Sequence, residues 1–173
     1  MRLLHTFDDQ DYADNAPRIV RECVRGIIFM DEKLLVIQRR GEIWRGVRFY
    51  EFPGGGIEAG ESHADALIRE IWEETGFRIN PGSIRAFGEV REIRQDLLEN
   101  AVFDQPSYYY LAEAESNQNV QFSEESDEWE GRQAMLVSLE DALALNSQSA
   151  SRVITDFLYR EVFIMQLLSC GYK

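Results

Sequence analysis

Cysteine is scarce in this chain: 173 residues contain two, Cys23 and Cys170, far apart and in neither a metal-type nor a redox-type spacing. That excludes a disulfide framework and a thiolate metal centre, and both thiols read as reduced core residues of a cytoplasmic protein. Long apolar runs are also missing. The opening MRLLHTFDDQ has no apolar stretch suited to a signal peptide, and Val162 to Cys170 falls far short of the ~20 residues that span a bilayer. No repeat, low-complexity tract or Pro/Gly/Ser-rich linker divides the sequence. It reads as an arm over residues 1–17, rich in aspartate and closing on Pro17, followed by one domain over 18–173. Basic charge is in deficit, with 18 Lys and Arg against 31 Asp and Glu and a net charge of −13. A surface of that sign repels nucleic-acid polymers and anionic membranes. A small phosphorylated substrate is compatible with it, provided a divalent cation and a few local arginines invert the field at the site.

What is present is a core. Apolar residues make up 45% of the chain and aromatics 12%, which argues against disorder. IVRECVRGIIFM, from Ile19 to Met30, alternates and then turns continuously apolar, which predicts one strand buried at one end. Asp31-Glu32-Lys33 reads as a turn into a second strand, Leu34–Arg40, and Phe49–Phe52 as a short extended piece ended by Pro53. Ser62 is a predicted helix N-cap with Asp65 as its capping partner, and Gly76 the residue just past the C-terminus. Between them Ala64, Leu67, Ile68, Ile71 and Thr75 form the predicted buried stripe. Strands are expected at about 84–93, 101–112 and 134–139. A short helix should follow at 139–145, then a last helix at about 149–168 burying Val153, Ile154, Phe157, Leu158 and Met165. Strands and helices are mixed without strict alternation, so the fold class is α/β (α+β), a mixed sheet with helices on both faces.

The chemistry concentrates between Gly55 and Phe77. Glu70, Glu73 and Glu74 stand at i, i+3 and i+4 on the helix, so one face carries three carboxylates. Like charges at that spacing repel, and crowding raises their pKa values. Mg²⁺ or Mn²⁺ would resolve the conflict, because such hard cations take carboxylate oxygens and complete their shell with substrate phosphates. The glycine-rich turn Gly54-Gly55-Gly56 lets backbone groups approach a metal or phosphate closely. Arg69 can brace a neighbouring carboxylate.

The same positions carry a resemblance. Gly55, five residues, Glu61, seven residues, Arg69-Glu70-Ile71-Trp72-Glu73-Glu74-Thr75-Gly76-Phe77 matches every fixed position of the box of the Nudix hydrolase family, also called MutT-like. At background usage the chance of such a match in one chain is below roughly one in a million. The resemblance implies a mixed β-sheet sandwiched between helices, and hydrolysis of a nucleoside diphosphate linked to another moiety. It implies Glu73, Glu74, Glu70 and the Gly55 carbonyl as metal ligands, with Glu70 a ligand or proton acceptor, and Arg69 and Glu61 as supporting residues. It also implies an acidic residue from a later loop, for which Glu130 is the nearest match and Glu128 the next. A cation-activated water attacking phosphorus in line is the reaction this chemistry supports.

Other candidates rest on position alone. Arg39 and Arg40 end the second strand where a phosphate could lie, and Gly56 belongs to the same cradle; Arg45 and Arg48 follow in the next loop. Tyr108, Tyr109 and Tyr110, or Trp44, Trp72 and Trp129, could stack on a base, although core packing competes for the tyrosines. His5 and His63 read as isolated surface residues. The expected substrate is a small nucleotide or conjugate of undetermined identity, since markers of the ADP-ribose and dinucleoside-polyphosphate subgroups are absent at Glu92 to Arg94. The apolar last helix is a candidate homodimer seam. The alternative reading is a non-catalytic nucleotide-binding or regulatory module on the same fold, against which every box carboxylate stands.

Overall fold

Leu34, Leu35, Val36 and Ile37 are all buried, each exposing 1% or less of its surface. Side chains of a strand point alternately to opposite faces, so both faces of this strand are covered. A computed structural model, which describes residues 1–13, 15–40, 47–96, 100–115, 131–151 and 156–172, shows how. In chain order the strands are β1 (Leu3–Asp8), β2 (Arg18–Val20), β3 (Cys23–Ile27), β4 (Phe29–Met30), β5 (Lys33–Arg40), β6 (Phe49–Glu51), β7 (Gly54–Gly56), β8 (Arg85–Asp96), β9 (Ala101–Leu111) and β10 (Gly131–Val137). The helices are α1 (His63–Thr75), α2 (Leu139–Ala150) and α3 (Asp156–Ser169).

The strands form two sheets. One runs β1-β8-β9-β3-β7, with β2 also on β9; the other runs β10-β5-β4, with β6 on β5. β1 on β8, and β2 and β3 on β9, are parallel pairs, and the rest are antiparallel. Alternation along β5 then sorts the core. Leu34 and Val36 pack with Ile27, Phe52, Tyr109, Ile164 and Met165, on the side of α2 and α3. Leu35 packs with Val24, Ile28, Leu67 and Ile71, on the side of α1. Helices therefore cover both sides of a mixed β centre, the expected fold class.

Helix α1 starts and stops where predicted. The Ser62 hydroxyl accepts from the Asp65 N–H at 3.2 Å and donates to the Asp65 carboxylate at 2.6 Å. Gly76, at φ 71°, donates its N–H to the Trp72 carbonyl at 2.9 Å, a left-handed cap that glycine adopts without a Cβ penalty. Ala66, Leu67, Ile71 and Thr75 are its buried residues; Ala64, assigned to that stripe from spacing, is exposed.

Four other expectations change. Ile19–Met30 is three strands rather than one, because the chain leaves the first sheet after Ile27 and enters the second at Phe29; the Ile28 carbonyl, between them, accepts from the Leu35 N–H. The arm read over 1–17 contains β1, a strand of the large sheet, continued by an Asp9 N–H bond to the Ile93 carbonyl at 3.1 Å. Helix α2 continues to Ala150 and takes in Ser149, which sequence spacing gave to the last helix; there the Ser149 hydroxyl donates to the Arg48 carbonyl at 2.6 Å. Leu158 and Met165 of the last helix are buried, while Val153 and Ile154 and the Phe157 side chain lie outside what is described. Cys23 is buried as expected, but Cys170 is exposed, because it follows α3 at the surface.

Candidate active site

β7 needs glycine at two of its three positions, Gly54 and Gly55, where other atoms approach the backbone closely. It pairs with β3, placing Gly54 opposite Arg25, Gly55 opposite Val24 and Gly56 opposite Cys23. Gly54 sits at φ 145°, and a Cβ there would lie 2.1 Å from the Val24 carbonyl oxygen. At Gly55 a Cβ would lie 2.4 Å from Glu70 Oε2, so the carboxylate rests directly against the Gly55 backbone. The Gly54 N–H donates to Glu74 Oε2 at 2.9 Å, and the Gly56 carbonyl accepts from Arg69 Nη2 at 3.0 Å. The glycine strand and the acidic helix thus form one unit.

Guanidinium groups hold the carboxylates of that unit. Arg69 donates to both oxygens of Glu61, each at 2.9 Å, to Glu70 at 2.8 Å and to Glu73 at 3.4 Å. Arg132, from β10, donates to Glu74 Oε1 at 2.6 Å. Burial pushes the Glu74 carboxyl up from its ordinary range, against the pull of the Gly54 N–H and nearby arginines. Among the described residues, no three His, Cys, Asp or Glu side chains converge as a ready-made metal cage. The three carboxylates that helix spacing put on one face each meet a basic partner, Glu70 and Glu73 at Arg69 and Glu74 at Arg132, and Glu73 remains 56% exposed.

From the glycine strand a cleft of about 660 Å³ runs across the large sheet. Residues of β3, β9 and β8 that share one face line it: Cys23 and Arg25, Phe103 and Gln105, Glu92 and Arg94. Among the described residues, six arginines line the cleft, Arg21, Arg25, Arg39, Arg94, Arg132 and Arg160, against the four carboxylates of Asp9, Glu51, Glu70 and Glu92. In a chain of net charge −13 these described residues make a local reversal of sign, the condition an anionic substrate requires.

Buried ions build the floor. Arg160, 1% exposed, reaches from α3 to Glu92 of β8 and to Glu161. Glu161 also accepts from the Phe52 N–H at 2.8 Å and the Tyr109 hydroxyl at 3.1 Å. Arg25 donates to the Phe52 and Gly54 carbonyls, both at 3.2 Å. The segment leading into the glycine strand is thereby gripped from β3 and from α3.

Residues 21–157 match the family model of the NUDIX domain. The chain belongs to the Nudix family. An ADP-ribose pyrophosphatase of Methanocaldococcus jannaschii is 45% identical over 53 residues, which cover 31% of this chain and 30% of that protein. A Nudix hydrolase of Bacillus subtilis is 34% identical over 100 residues, covering 57% of this chain and 58% of that one. The chain thus spans less than two thirds of the length of either relative. The solved structure of a NUDIX hydrolase from Nitrosomonas europaea shares the fold with a TM-score of 0.58, at 18% identity and over 90% and 92% of the two chains.

Within this Nudix fold the sequence candidates separate. Gly55, Gly56, Glu70 and Arg39 line the cleft, and Arg69 and Glu74 stand behind it in contact with the glycine strand. Glu130 and Glu128, Arg45, Trp44 and Trp129 lie outside the described residues, as does the side chain of Arg40. None of the tyrosine triplet lines the cleft. Tyr109 is fully buried against Phe52, and Tyr108 and Tyr110 pack on His63, which is therefore not the isolated surface residue expected. His5 likewise packs on Phe7 and Phe163. Trp72 is half exposed under Arg78, away from the cleft.

Arg21, Arg25, Arg94, Arg132 and Arg160 were missed from sequence. A signal existed for Arg160: an Arg-Glu pair inside the apolar run FLYREVFIM is costly unless buried charges are paired. Oxygen donors are what this end of the cleft offers, the Glu70 and Glu74 carboxylates and the glycine carbonyls, and that donor set fits a hard divalent cation.

Proposed function

We propose that this chain hydrolyses a diphosphate linkage in a nucleotide or nucleotide conjugate, with Mg²⁺ or Mn²⁺ as its cofactor. The observation that carries the reading is the Glu70 carboxylate lying against the Gly55 backbone at the end of an arginine-lined cleft. Gly55, Glu70, Glu73 and Glu74 are the proposed metal ligands, with Glu130 of the acidic loop as a further catalytic carboxylate. The bound cation supplies charge neutralisation at the diphosphate and an acidified water. Arg69 keeps Glu70 and the Gly56 carbonyl in register, and Arg21 and Arg39 meet phosphate oxygens, to which a guanidinium fork is matched. Catalysis is then positioning and charge stabilisation.

ADP-ribose, named in the Methanocaldococcus relative, enters a substrate panel beside nucleoside triphosphates, nucleotide sugars and dinucleoside polyphosphates. With Mg²⁺ present, at least one of these releases phosphate or a nucleoside monophosphate. Glu74→Gln removes that activity while circular dichroism stays unchanged. Full activity in this variant refutes the ligand assignment.

A further inference from the structure

We propose that Arg132 is a phosphate-binding arginine held in reserve by Glu74, and that it turns to the substrate once a divalent cation takes the Glu74 carboxylate. This rests on the reading of Glu74 as a cation ligand. Both Glu74 oxygens are engaged, Oε2 by the Gly54 N–H and Oε1 by Arg132. The first partner is backbone of the glycine strand; the second is a side chain 59% exposed on a carboxylate 11% exposed. A cation reaching Oε1 therefore competes with Arg132 and not with the strand. Arg69 differs, because its guanidinium is shared among Glu61, Glu70, Glu73 and the Gly56 carbonyl and is 25% exposed.

A second observation points to where Arg132 goes. It stands directly opposite Arg39 in the β10–β5 ladder, and both line the cleft. Like charges at paired positions repel, since their Cβ atoms lie only about 5 Å apart. Separate carboxylates relieve this repulsion, Glu51 at 3.8 Å from Arg39 and Glu74 at 2.6 Å from Arg132. Losing Glu74 to a cation leaves two facing guanidinium groups, one without its counter-charge among the described residues, and a substrate phosphate between them restores the balance. Cation and diphosphate then bind with positive coupling, which must be reciprocal.

The test is calorimetric and uses no turnover. Mn²⁺ is titrated into the wild type and Arg132→Ala, each shown to be folded by thermal melting. Methylenediphosphonate, a diphosphate mimic that cannot be hydrolysed, is then titrated with and without Mn²⁺. Arg132→Ala should bind Mn²⁺ about two- to fivefold more tightly, the range set by one exposed ion pair. It should bind methylenediphosphonate about tenfold more weakly with Mn²⁺ present, and within about twofold of wild type without it, the metal-dependent loss being that of one charge-assisted contact. Arg132→Lys, which retains the charge, should recover part of the loss. Equal or weaker Mn²⁺ binding by Arg132→Ala overturns the proposal, as does an equal loss of the mimic with and without metal. A wild type that binds no Mn²⁺ sinks the cation-site reading as well, so the two failures are distinguishable.

Discussion

Arg69 grips Glu61 with two parallel hydrogen bonds, Nε to Oε1 and Nη2 to Oε2, both at 2.9 Å. The Glu58 N–H adds a third bond to the same carboxylate at 3.0 Å. Side-chain bonds from Arg69 and then this backbone bond pull the Glu61 carboxyl from 4.5 to about 2. A group whose pKa falls on folding contributes stability above its unfolded pKa and loses it as pH drops through the folded one. Glu61→Gln should therefore melt below wild type at pH 7, with the gap narrowing below pH 4.5 and closing near pH 2. Melting curves across this range decide it; a constant gap means the ion pair is not the cause.

Arg69→Lys should keep the fold and lower kcat/KM by about 10- to 100-fold, the loss typical of residues that orient metal ligands. A compact ammonium cannot reach Glu61, Glu70, Glu73 and the Gly56 carbonyl together, whereas the guanidinium fork does. Steady-state kinetics at several Mg²⁺ concentrations would check this. Activity within twofold of wild type would remove Arg69 from the machinery.

Adjacent glycines should fail in different ways. Gly54→Ala puts a Cβ 2.1 Å from a backbone oxygen at φ 145°, so the strand itself must shift, at about 1–3 kcal/mol or more of stability. Gly55→Ala meets the end of the Glu70 side chain, which can swing aside. It should stay folded with metal affinity and activity reduced. Denaturant melts and Mn²⁺ titration of both variants separate the two outcomes; equal loss of stability would refute the distinction.

Arg160→Met should destabilise by about 3–5 kcal/mol, the penalty for leaving buried charges without their partner. The orphans are Glu92 and Glu161, 3% and 0% exposed. Adding Glu161→Gln should recover part of the loss, because the amide oxygen can still accept from the Phe52 N–H while one buried charge is gone. Urea unfolding measures both variants, and a single variant as stable as wild type rejects the account.

The helix limits at Ser62 and Gly76 were legible in sequence because caps act over three or four residues. The aromatic triplet was not. Tyr108, Tyr109 and Tyr110 are equivalent as letters, yet Tyr109 is core and its neighbours face His63, because the register of β9 against β3 and β8 decides which face points inward. The Ile19–Met30 run misled for a related reason: a continuous apolar stretch carries no mark of the step from one sheet to the other at Ile28.

Sequence alone determined the family and the acidic helix, because box spacing is a contiguous property read along one chain segment. Tertiary structure decided how those carboxylates are balanced and what faces them. Arg39 and Arg132 stand side by side although 93 positions separate them, and Arg160 reaches the cleft floor from the last helix. Such neighbours come from strand register and helix docking, which bury residues distant in sequence against one another, and no local pattern encodes that pairing.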